Sequence, residues 1–71
     1  MKYCWIEATY GDTTKRIKFK TEKPIEDIQT MIFLGVTMNP NYFVFDNTID
    51  SPNHLSGINL SRADKIRVYP L

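Results

Sequence analysis

Residues 2–21, KYCWIEATYGDTTKRIKFKT, decide the fold of this chain. Residues 2–10 are rich in aromatic and β-branched side chains, which suit a pleated, half-buried strand. Gly11-Asp12-Thr13-Thr14 follows with turn chemistry, and Arg16-Ile17-Lys18-Phe19-Lys20-Thr21 then alternates charged and apolar residues with period two. The expectation is a hairpin whose second strand turns Ile17 and Phe19 inward.

Working outward, Pro24 presets a helical backbone dihedral, and Glu26 and Asp27 sit where the positive end of a helix dipole favours them. Ile25, Ile28 and Ile32 recur at spacings of three and four, one apolar stripe to lie across the sheet, and Gly35 reads as the helix stop. Asn39-Pro40-Asn41 breaks the chain. Tyr42-Phe43-Val44-Phe45 then reads as a central or near-central strand, with Phe43 and Phe45 inward and Tyr42 and Val44 outward. Residues 46–54 are a polar loop that could hold a short edge strand near Thr48-Ile49. Leu55, Ile58 and Leu60 read as plugs at one end of the core, and residues 64–69 as a last strand with Ile66 and Val68 inward.

This order resembles the ubiquitin-like (β-grasp) superfamily: hairpin, long helix, strand, short strand, turn, last strand. The residues that carry the likeness are the hairpin, the stripe Ile25, Ile28, Ile32, the strand at 42–45, and Leu55-Ser56-Gly57-Ile58-Asn59-Leu60 followed by Asp64-Lys65-Ile66-Arg67-Val68. The resemblance implies an α+β domain spanning residues 1–71, with a mixed sheet of four to five strands and one helix packed across one face. Conjugating and sulfur-carrying members close on a Gly-Gly tail, whereas this chain closes on Tyr69-Pro70-Leu71 and has few lysines on its helix. A non-conjugating member that uses its surface for docking is therefore expected.

Composition agrees with a small globular domain. Of 71 residues, 42% are hydrophobic and 24% charged, too apolar a mixture for a disordered chain. Nine Lys and Arg against eight Asp and Glu leave a net charge of +1, which singles out no partner. Placement says more, since Lys15, Arg16, Lys18, Lys20 and Lys23 fall in one short stretch. Cys4 is the one cysteine, so no internal disulfide forms, and a reduced cytoplasmic protein is expected. The apolar run from Tyr3 to Ile6 stops at Glu7, far short of a signal-peptide core or membrane span.

Catalytic equipment is sparse. The sole histidine, His54, lies in a polar loop, and Cys4 reads as a small apolar strand residue, so no nucleophile and base are brought together. Asp46 and Asp50 lack the further oxygen ligands and turn glycine of a calcium loop. Three scattered glycines make no phosphate cradle. No enzyme activity, cofactor or metal is expected.

Alternation in the first strand points to the working surface. Cys4, Ile6 and Ala8 form one set; Tyr3, Trp5, Glu7 and Thr9 form the other, and charged Glu7 marks the second as the solvent side. Arg67 and Tyr69 join that face from the last strand. The candidate partner-binding residues are thus Tyr3, Trp5, Arg16, Lys18, Lys20, Tyr42, Val44, Arg67 and Tyr69. Aromatics beside arginine are the composition of interface hot spots, so another protein is the expected partner, for a chain that is a monomer or weak homodimer. The alternative is single-stranded nucleic acid, held by the Lys-rich strand and its aromatic neighbours. Two plainer readings stand beside these: Tyr3 and Trp5 are core residues if the strand is phased the other way, and edge lysines serve to block aggregation.

Overall fold

The computed structural model describes residues 2–48 and 57–71. In chain order it comprises β1 (Lys2–Tyr10), β2 (Thr13–Thr21), α1 (Ile25–Met38), β3 (Phe43–Phe45), β4 (Gly57–Asn59), a 3₁₀ turn (Leu60–Arg62) and β5 (Lys65–Pro70). The fold is α+β. One helix packs against a three-stranded sheet of order β2-β1-β5, and β3 and β4 pair as a separate two-stranded sheet.

The hairpin forms as its sequence dictates. Lys2 faces Thr21 at its open end and Tyr10 faces Thr13 at its closed end, leaving Gly11 and Asp12 as a two-residue turn. Gly11 takes a φ of 57°, which a side chain disfavours and which a type II′ turn needs at its first position. Its amide donates to Asp64 Oδ2 at 2.7 Å, tying the turn to the start of β5.

Phase in β1 is set by burial. Cys4, Ile6 and Ala8 are wholly buried, in one core with Ile17, Ile28, Ile32, Val44, Ile58 and Leu60. Burying a side chain such as Ile6, Ile28 or Leu60 contributes roughly 1.5–3 kcal/mol, whereas burying the other set would take the charged Glu7 out of water. Ile25, Phe19, Ile66 and Val68 pack against this core from its margins.

Three sequence expectations are corrected. First, a mixed sheet of four to five strands is not what the described residues form: among them β1 pairs antiparallel with both neighbours and β3 pairs antiparallel with β4. Second, α1 does not stop at Gly35 but runs to Met38, where the Asn39 amide and side chain both donate to the Gly35 carbonyl. Glycine is needed there for another reason: a Cβ would sit 2.4 Å from the Tyr42 ring, which lies directly against the helix. Third, β3 is neither central nor phased as expected. Val44 is 6% exposed opposite buried Ile58, while Phe43 and Phe45 are exposed. Alternation fixes which residues share a side but not which side is buried, and the Phe45 ring instead lies over Gly57.

Of the expected plugs, Ile58 and Leu60 are buried and Leu55 lies outside the described residues. Thr48 is in a turn rather than an edge strand, and Ile49 also lies outside them. No described helix is long and apolar enough to cross a membrane.

Candidate functional site

The helix covers one face of the β2-β1-β5 sheet, and the strand register composes the other. Tyr3 stands across from Lys20; Trp5 lies between Lys18 and Tyr69; Glu7 lies between Arg16 and Arg67; Thr9 lies between Thr14 and Lys65. Side chains directly opposite on adjacent strands have their Cβ atoms about 5 Å apart, so the members of each row are within reach of one another. Seven of the residues expected at the site, Tyr3, Trp5, Arg16, Lys18, Lys20, Arg67 and Tyr69, are brought together here.

Tyr42 and Val44 are not. Both belong to the segment packed toward the core, Val44 against Ile58 and Tyr42 against Gly35, with the Tyr42 amide bonded to Ser61 Oγ at 2.9 Å. The error in phase and the separate β3-β4 sheet together remove them from this surface. Sequence reasoning missed Lys65, although the alternation that assigned Arg67 and Tyr69 to the face includes it.

The rings are backed by cations. The Arg16 guanidinium lies 4.2 Å from the centre of the Trp5 ring, and the Lys18 ammonium 5.7 Å from it. Arg67 sits 5.1 Å from the Tyr69 ring centre. A guanidinium over an aromatic face is attracted by the ring quadrupole, by roughly 0.5–1 kcal/mol at an exposed site.

Glu7 is the one carboxylate among the residues that the register places on this face, and it is already engaged. Its Oε2 accepts from the Tyr69 hydroxyl at 2.9 Å, and its Oε1 lies 3.6 Å from Arg67 Nη1. Arg16, Lys18, Lys20, Lys65 and Arg67 oppose it, so the face is strongly positive. The opposite side differs, since α1 carries Glu26 and Asp27 and no lysine or arginine. A near-zero total charge thus conceals a polarised molecule.

Other features have simpler uses. Burial pushes the Cys4 thiol up from its usual range, the reverse of what a nucleophile needs. Asp46 accepts from the Thr48 amide at 2.8 Å, an Asx turn; Asp50 and His54 lie outside the described residues. Asn47 exchanges two bonds with the backbone of Lys20, at 2.6 and 2.9 Å, and so stands in for a neighbouring strand at that point of the β2 edge.

A second exposed apolar surface escaped sequence reading. Phe33 is 67% exposed, Met38 78%, and Leu34 also faces out. The stripe Ile25, Ile28, Ile32 that faces the core leaves Leu34 on the far side of the helix and Phe33 and Met38 on its two flanks, a placement available from helical periodicity alone. Comparison with protein-family models, with curated proteins and with solved structures finds no match to this chain.

Proposed function

We propose that this protein is a non-catalytic binding module that docks a partner protein through the uncovered face of its three-stranded sheet, and that the contacted surface of the partner is acidic. The carrying observation is the cross-strand set of Tyr3, Trp5 and Tyr69 with five cations and a single, already neutralised carboxylate. Aromatic anchors bury large area for little lost side-chain freedom, and stacked guanidinium groups present paired donors suited to carboxylates. Adaptor, regulator and inhibitor roles all fit such a surface.

Single-stranded nucleic acid is the second reading, favoured by the same union of rings and cations. Arg16 counts against it, because its guanidinium occupies the Trp5 face on which a base would stack. The ubiquitin-like relationship rests on element order and on the stretches at residues 55–60 and 64–68, and the docking reading does not depend on it. A cytoplasmic setting fits a single, buried, unpaired cysteine.

A photocrosslinking side chain placed at position 18 tests the reading, with position 15 as control, since both are exposed but lie on opposite faces of β2. Capture at 18 and not at 15 of a polypeptide whose linked segment is rich in Asp and Glu supports it. Capture of nucleic acid at 18, or equal capture at both positions, contradicts it.

A further inference from the structure

β5 is the last strand of its sheet, and no described strand pairs with its outer edge. Lys20, across from Tyr3, bonds outward to Asn47 through both its N–H and its C=O, so the odd-numbered residues of β1 turn theirs to β5; the Leu71 amide accordingly donates to the Tyr3 carbonyl at 3.3 Å, and odd-numbered residues of β5 bond inward, while the Asp64 amide, ahead of the strand, adds a bond to the Thr9 carbonyl at 2.8 Å. The N–H and C=O groups of Ile66 and Val68 therefore point outward. Beside this edge runs a groove of about 380 Å³, lined by Gln29, Ile32, Phe33 and Val36 of α1 and by Ile66, Arg67 and Val68 of β5. An unpaired edge next to an apolar groove joins the two requirements for strand addition: backbone partners for affinity and pockets for alternate side chains.

The strand's own chemistry selects the occupant. Ile66 and Val68 turn toward the helix side, where an added strand would place apolar residues; Lys65 and Arg67 turn to the other face, where it would place acidic ones. A second copy of β5 fits poorly. Pairing Ile66 with Val68 of the copy sets Arg67 against Arg67, and like charges directly opposite destabilise. Sliding one step toward the N-terminus sets Lys65 against Arg67; sliding toward the C-terminus sets Ile66 against Pro70, which has no N–H to give.

We infer that the outer edge of β5, with the α1 groove, takes up an extended segment of a partner protein in which apolar and acidic residues alternate. This site is distinct from the sheet face, although Arg67 borders both.

The test uses a blocked heptapeptide alternating valine with glutamate, added to isotopically labelled protein while amide exchange is followed by NMR. Binding should slow exchange at Ile66 and Val68, which exchange freely in the peptide's absence. Replacing glutamate by lysine should weaken binding about tenfold, and N-methylating the peptide amides on one edge by about the same. Phe33→Ala, at an exposed position that the fold does not need, should weaken it about fivefold. Trp5→Ala should leave it unchanged. No binding at millimolar peptide, indifference to N-methylation, or protected Ile66 and Val68 amides in the free protein would each overturn the inference. Binding lost with Trp5→Ala but kept with Phe33→Ala would also overturn it, and would place the peptide on the sheet face instead.

Discussion

The Arg16 guanidinium lies 4.2 Å above the Trp5 ring on the helix-free side of the sheet, while the neighbouring residues Cys4 and Ile6 are wholly buried on the other. One strand therefore supplies both the core and the candidate docking surface. The two roles are separable because side chains alternate.

Substitution on the two sides of β1 should have different consequences. Ile6→Ala leaves a cavity in the centre of the core and is expected to cost about 2–5 kcal/mol, enough to unfold much of so small a domain. Trp5→Ala should cost less than half of that. Chemical denaturation of both variants checks this, and equal losses would place Trp5 in the core.

Gly35 and Tyr42 should be energetically coupled. Ala is ordinarily favoured over Gly within a helix by about 1 kcal/mol, but here the added methyl meets the Tyr42 ring. Gly35→Ala is expected to destabilise the wild type and to stabilise a Tyr42→Ala background. A double-mutant cycle by urea denaturation reads the coupling, and its absence would contradict the close approach.

Burial in β3 yields a third contrast. Val44→Ala removes two buried methyl equivalents and should cost about 1.5–3 kcal/mol, while Phe43→Ala, at an exposed ring, should cost under about 1 kcal/mol. The reverse order in thermal or urea melts would restore the phase that the sequence suggested.

Stability should fall in alkali partly through Cys4. Burial raises its folded-state pKa above the usual 9.0, so the unfolded thiol ionises first and the unfolded chain holds fewer protons. The contribution is complete below pH 9.0 and is lost as pH rises from there through the folded value. Tyr10, raised by burial and donating to the Asn59 carbonyl at 2.6 Å, acts in the same direction from a higher starting point. Urea midpoints measured between mildly and strongly alkaline pH should fall less steeply for Cys4→Ala than for wild type. Parallel curves would show that the thiol does not contribute.

The hairpin, the start of the helix, the β1 phase and the membership of Arg67 and Tyr69 on one face were legible in sequence, because each rests on a local period with a polar residue to fix its phase. Glu7 did so for β1, and the lysines did so for β2. Residues 42–45 have no such marker: none is charged, so alternation paired Phe43 with Phe45 and Tyr42 with Val44 but left the buried side open. The pairing of Val44 with Ile58 and the gaps over Gly35 and Gly57 decided it. Gly35 misled as a helix stop because its role is a close contact with the Tyr42 ring from beyond the helix rather than a backbone turn. Strand direction was also beyond local periodicity, since nothing in residues 64–69 distinguishes an antiparallel from a parallel neighbour.

The most direct measurement is the affinity, by calorimetry, of the Trp5→Ala, Tyr69→Ala double variant for the protein crosslinked at position 18. The variant should keep a native circular dichroism spectrum and bind more weakly by about 2 kcal/mol or more, roughly thirtyfold. A folded variant that binds as tightly as wild type would contradict the assignment of this face as the docking surface.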